Sequence, residues 1–232
     1  MNTLNNRRYL TPGKVPTLYL SNHDHSHVAW QTDANGDGRG AVGGWWRLQP
    51  YLIALFTSTA VPLIRNGDEI GEETVIPEND ENTGRRVTPR PLRWKLRGDP
   101  IGTVLTALHR RLAVLRGDLP ALRSELMYPP AWDSSQTQLD QVGVGVDVAR
   151  QLVIYHRWAV VPGGIENVVV ALNFSDADQT VEVPFPVQGH WEDRLAGFNG
   201  GPSWSVDVSG PTAAIPVGSH FGRILRRFNP QP

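Results

Sequence analysis

Between Thr17 and His27 a short apolar run ends in a cluster of titratable side chains, Thr17-Leu-Tyr-Leu-Ser-Asn-His-Asp-His-Ser-His27. Three imidazoles, a carboxylate, an amide and two hydroxyls follow Leu20 within seven residues. Such groups can exchange protons, hydrogen-bond a polyhydroxylated ligand, or ligate a metal. Asp24 beside His23 places a charged acceptor next to a donor, with Asn22 adjoining. A second chemistry lies in the alternation of His23, His25 and His27. In an extended segment all three imidazoles project to one side, with Asp24 and Ser26 on the other. That set suits zinc or another transition metal, whose bound water would make a metal-dependent hydrolase of an ester or lactone. Serine nucleophile chemistry is not supported: the chain has no Gly-x-Ser-x-Gly elbow, and Ser21 or Ser26 near His23 is sequence adjacency, not geometry.

These groups need a scaffold. Thr17–Leu20 is too short for a helix and its residues suit a pleated surface, so it reads as a buried strand with the cluster at its carboxyl edge, where α/β folds place their sites. The next stretch, Asp33-Ala-Asn-Gly-Asp-Gly-Arg-Gly40, sets oxygen ligands Asp33, Asn35 and Asp37 at alternate positions, like the first half of a calcium loop. Gly44 stands where that loop needs a bidentate Glu, so calcium competes here with a plain Asx/Gly turn. Helical spacing from Trp45 to Thr59, with Pro50 marking a first turn or a kink, leads into a second apolar run, Ala60 to Ile64. Strand, helix and strand make a parallel βαβ unit, with Asp68 and Glu69 at the end of the second strand.

A polar loop over 71–99 precedes the helix Pro100–Arg116, whose apolar residues recur at i, i+3, i+4 and i+7 and whose stop is Gly117. Residues 1–16, polar and broken by Pro12, Gly13 and Pro16, read as a poorly ordered lead. From Glu125 onward short β-rich runs alternate with Pro, Gly and Asn: Gly145–Val148, Gln151–Trp158, Asn167–Phe174, Thr180–Phe185, Trp204–Val208 and Arg223–Phe228. This predicts an antiparallel β-sandwich or barrel over 125–232, and a boundary near 119–126.

Composition narrows the partners. With 22 basic and 23 acidic residues the net charge is -1, which gives no field for nucleic acid or an anionic membrane. The absence of cysteine removes disulfides, thiolate metal sites and a cysteine nucleophile, and leaves the compartment open. Met1 to Arg8 lacks the apolar core of a signal peptide, which makes the cytoplasm the default expectation. Eight tryptophans are many; about two in three are expected in the core, leaving Trp30, Trp45, Trp46 or Trp94 to stack on sugar rings.

Four segments in order carry a family resemblance. Ser21-Asn-His-Asp24 is similar to the last catalytic motif of the α-amylase superfamily, glycoside hydrolase family thirteen. Val61-Pro-Leu-Ile-Arg-Asn-Gly-Asp-Glu-Ile-Gly71 resembles its eighth-strand pattern, with Arg65-Asn66 where aromatic residues are common. Pro91-Leu-Arg-Trp94 is similar to the stretch before its final barrel helix, and Val168 to Ser175 resembles a strand of its domain C. The resemblance implies the last two βα units of a (β/α)8 barrel over 17–120, followed by an antiparallel β domain. It implies that Asp24 and His23 contact sugar hydroxyls of an α-glucan or α-glucoside, with Asn22, Asp68, Glu69 and Trp30 as neighbours. It also implies a gap. Retaining glycosidases need two carboxyl groups about 5–5.5 Å apart, which this family carries on its fourth and fifth strands, outside the likeness. A partial barrel exposes strand edges, so a second copy or a complementing amino-terminal barrel fragment is expected to cover them. Non-catalytic carbohydrate binding is the further alternative.

Overall fold

The computed structural model describes residues 1–32, 44–73 and 89–231. Most of the ordered structure is antiparallel sheet, with few helices. Two short strands, β1 (Thr17–Leu18) and β2 (Val61–Pro62), pair in parallel with Thr17 opposite Val61 and Leu18 opposite Pro62. Between them run α1 (Val28–Gln31), a 3₁₀ turn at Trp45–Leu48 and α2 (Gln49–Thr57). The expected βαβ connection is therefore present. Its strands are shorter than the apolar runs that announced them.

α2 is buried nearly all round, from Leu52 through Thr57, and Pro50 occupies its first turn, where a missing N–H costs nothing. α3 (Pro100–Asp118) starts at Asp99, whose side chain accepts the Gly102 N–H at 2.7 Å, and buries the stripe Leu105, Leu108, Leu112 and Leu115. Gly117 does not stop it. The helix runs on to Asp118 and ends because Pro120, which opens α4 (Pro120–Arg123), forces Leu119 into an extended conformation.

The remaining chain forms β3 (Met127–Tyr128), β4 (Gly145–Asp147), β5 (Leu152–Val161), β6 (Gly164–Asn173), β7 (Gln179–Pro184), β8 (Gly189–Asp193), β9 (Ser205–Val208), β10 (Thr212–Val217) and β11 (Phe221–Pro230). Seven of these strands make one sheet, in the order β3-β5-β6-β11-β8-β9 with β4 also on β5, and β7 and β10 make a second, two-stranded sheet. The large sheet lies between two layers. Val168, Val170 and Leu172 of β6 join Tyr155 and Ile224 against the helices, while Val169 and Ala171 face Val181, Val183, Ile215 and Val217 of the small sheet. Burial on both faces explains why Val168–Leu172 within β6 is an unbroken apolar run, each buried Val or Leu side chain contributing roughly 1.5–3 kcal/mol. The last helix, α4, ends at Arg123 and β3 begins at Met127, and the helices and the sheet share one core.

Two arginines fasten that core. Arg157 of β5, with no exposed surface, donates to the carbonyls of Leu126 at 3.0 Å, Ser124 at 2.6 Å and Thr57. Arg116 of α3 donates to Phe56 O at 2.7 Å, Ser58 O at 3.0 Å and Ala60 O. Together they satisfy carbonyls at and beyond the end of α2, which the helix itself leaves unpaired.

Within residues 1–16, expected to be a poorly ordered lead, Asn2, Leu4 and Asn5 are tied to distant backbone. Leu4 O accepts the Thr59 N–H at 2.9 Å, Asn2 and Trp132 exchange side-chain to backbone hydrogen bonds at 2.8 and 3.1 Å, and Asn5 donates to Pro130 O at 3.0 Å. Short polar side chains here serve carbonyls more than a hundred residues away, so the composition that suggested disorder supplies the anchors. The tryptophans also depart from expectation: Trp132 and Trp191 are buried, five are half-buried, and Trp94 is exposed. No helix among the described residues is long and apolar enough to cross a membrane.

Replacing Arg157 with Met leaves several buried carbonyls without a donor. We expect a loss of about 3 kcal/mol or more in urea unfolding, with little recovery in Arg157→Lys, whose ammonium cannot span carbonyls from two segments. An unchanged midpoint would show that the core does not depend on this side chain.

Candidate functional site

The loop after β1 and the loop after β2 lie side by side because their strands are parallel neighbours. Three contacts stitch them together. The Ser21 hydroxyl reaches both carboxylate oxygens of Asp68, at 3.0 and 2.9 Å. Arg65 donates from a guanidinium nitrogen to His25 O at 2.5 Å. The His27 Nε2 lies 3.4 Å from Asn66 O.

Within the first loop the backbone turns instead of extending. Asn22 Oδ1 accepts the Asp24 N–H at 2.9 Å and lies 2.6 Å from His25 Nδ1, while Asn22 O accepts the His25 N–H at 3.2 Å. This Asx turn breaks the period-two alternation on which the metal reading rested. The His23 side chain is 82% exposed, His25 folds back on Asn22, and His27 is buried. Among the described residues no three His, Asp or Glu side chains converge as metal ligands. His23, His25 and His27, expected as an alternative three-histidine centre, are therefore not brought together on one side of the loop. The candidate calcium ligands Asp33, Asn35 and Asp37 lie outside the described residues.

Asp24 and His23 stay together at the rim, with His23 Nε2 3.4 Å from Asp24 Oδ2 and the Asp24 side chain 37% exposed. An acceptor carboxylate and an imidazole donor therefore face outward side by side. Asn22 spends its carbonyl oxygen on the turn. Trp30, on α1 just beyond the cluster, is half-buried.

Asp68, expected among the sugar-contacting neighbours, lies against Ser21. It is only 4% exposed, and burial pushes its carboxyl up to about 6 despite the Ser21 hydroxyl and the nearby Arg65 charge, which both favour the ionised form. It braces the β1 loop from beneath. Glu69, half-buried, turns back to accept the Gly67 N–H at 2.9 Å. Gly67 sits at φ 103°, and a Cβ there would come within 2.8 Å of Glu72. That position needs glycine.

Two functional supports were not foreseen. Glu72, 1% exposed, takes Arg93 Nε at 2.8 Å and the Arg93 N–H at 3.0 Å. Burial opposes its ionisation, but the Arg93 bonds prevail and hold its carboxyl below the usual range. The Pro91-to-Trp94 segment thus holds the chain after β2 through its arginine. Arg65 as a clamp on the first loop is the other. Neither pairing leaves a local pattern, since the partners are 21 and 40 residues apart.

The Asp68 shift fixes a pH dependence. A carboxyl with its folded pKa near 6, above its unfolded value of 3.8, gives stability that is fully present below 3.8 and lost as the pH rises through 6. Asp68→Asn, which keeps an acceptor for Ser21, should stabilise the chain at pH 7.5 by up to roughly 3 kcal/mol and flatten its stability between pH 4 and 6. Thermal unfolding across that range checks it, and an unchanged pH profile would refute it.

Neither a protein-family model nor a curated protein matches the sequence. Solved structures do match in fold. A variant of AmyP in complex with maltotriose is similar over 98% of this chain and 44% of its own, with a TM-score of 0.69 and 17% identity. A noncanonic maltogenic α-amylase, AmyB from Thermotoga neapolitana, is similar over 97% of this chain and 44% of its own, with a TM-score of 0.58 and 20% identity. An Anoxybacillus α-amylase is similar over 94% of this chain and 39% of its own, with a TM-score of 0.58 and 19% identity. The chain spans less than half the length of these structures, and what it shares with these α-amylase-family enzymes is the fold.

Proposed function

We propose that this chain is the carboxyl-terminal part of an α-amylase-type glycoside hydrolase, the last two βα units of a (β/α)8 barrel followed by domain C. Its part is to contact an α-glucan or α-glucoside through Asp24 and His23. The observation that carries this reading is the outward pair His23–Asp24 at the carboxyl edge of a parallel strand pair, on a loop braced from the neighbouring strand end. The pair fits the chemistry: hydrogen bonds to ring hydroxyls strengthen as a sugar approaches an oxocarbenium-like state, and a carboxylate beside an imidazole offers acceptor and donor together. The maltotriose-bound structural neighbour supports the ligand class.

Binding is assigned to this chain, and hydrolysis to a larger assembly. A nucleophile and an acid/base must flank the scissile bond, and Asp68, the nearest strand-end carboxylate on β2, is buried and committed to Ser21. The β1–β2 ladder leaves Tyr19, Val61 and Leu63 between 43% and 51% exposed on one face. Two strands are too few to be stable alone. A complementing amino-terminal barrel fragment is the proposed cover for that face, and supplies the missing carboxyl groups.

Calorimetric titration with maltotriose tests the reading. Asp24→Asn should weaken binding by about tenfold or more, the worth of a hydrogen bond to a charged acceptor, with thermal stability unchanged. Equal affinity of the wild type and Asp24→Asn would overturn it, as would no binding by the wild type.

A further inference from the structure

Arg65 departs from the aromatic residue common at this place in the resembled eighth-strand pattern, and its contacts show a use for the change. It sits half-buried just past β2 and crosses to the other loop, where its guanidinium donates to His25 O at 2.5 Å. Its own carbonyl accepts the Asp68 N–H at 3.0 Å, so it is fixed at its base as well as at its tip. From His25 the connection continues through the turn. The His25 ring and amide both bond Asn22, and the Asn22 side chain holds the Asp24 amide at 2.9 Å. On the far side Arg90 approaches His23 O at 3.5 Å.

We infer that Arg65 is a positioning residue, which clamps the Asn22–His25 turn by its backbone and so sets the direction in which Asp24 and His23 are presented. The inference rests on the proposed sugar contact for its purpose, though not for its geometry. A carbonyl anchored by a guanidinium restrains the turn without occupying either side chain that faces solvent. The clamp joins the two strand ends near the rim, while Ser21 and Asp68 join them underneath, and two attachments at different depths resist rotation of the loop as one cannot.

Amide hydrogen exchange by NMR on the full chain reads this directly. In the wild type the Asp24 and His25 amides should be protected. Arg65→Ala should speed their exchange by about tenfold, the equivalent of one hydrogen bond, while β6 amides remain unchanged. Arg65→Lys, which keeps a donor, should restore most of the protection. Where Arg65→Ala fails to fold, Arg65→Met keeps the stem, removes the donor and gives the same reading. Maltotriose affinity should fall severalfold in Arg65→Met and recover in Arg65→Lys. Unchanged exchange at Asp24 and His25 in the donor-less variants would overturn the inference, as would failure of Lys to rescue. If the wild type binds no maltotriose, the proposed function fails while the exchange result still decides the role of Arg65.

Discussion

The end of α2 is where the molecule is held together. A helix leaves its last carbonyls unpaired, and here they lie inside the protein, where water cannot serve them. Arg157 arrives from the central sheet and Arg116 from α3, and between them they take the carbonyls of Phe56, Thr57, Ser58 and Ala60. Burial pushes the guanidiniums down to about 9 and about 10, so both remain charged at neutral pH. The negative end of the helix dipole supplies compensating partial charge. Because Ala60 directly precedes β2, the same bonds that close the core also fix where β2 begins. The depth and direction of the strand-end loop follow from that.

The site inherits this order. β2 places Asp68 under the loop after β1, and Arg65 alongside it. The buried Asp68 illustrates how location decides a role that residue type leaves open. A carboxylate at a strand end could meet a ligand, but one sealed beneath Ser21 can only orient its neighbour. The exposed carboxylate is Asp24, whose partner imidazole also faces solvent. The open face of the β1–β2 ladder belongs to the same picture: Leu20 and Ile64 pack on the core shared with the large sheet, while Tyr19, Val61 and Leu63 on the opposite side are exposed.

Contrasts between sequence and structure cluster where distant segments meet. The stripe of α3 and the βαβ order were legible because they repeat within a few residues. Three strands, β3, β8 and β10, were not foreseen. Pro216, Gly189 and the shortness of β3 obscure the alternation that would have announced them. The stop expected at Gly117 failed for a related reason. An exposed glycine near a helix end is tolerated when the following Pro120 supplies the break.

The sequence alone determined the placing of a His–Asp cluster at a strand end, a parallel βαβ passage, one long amphipathic helix and a β-rich second half. All of these are written in neighbouring residues, through side-chain period, turn chemistry and apolar runs. Tertiary structure decided which histidines face outward, that Asp68 is a brace, that Asn2, Leu4 and Asn5 are anchored, and that the helices and sheet share one core. Those outcomes depend on groups such as Arg157 and Thr57, which lie 100 residues apart and meet only after the chain has folded. No local pattern encodes such a meeting, because the free energy that selects it comes from satisfying buried polar groups across the whole packed interior.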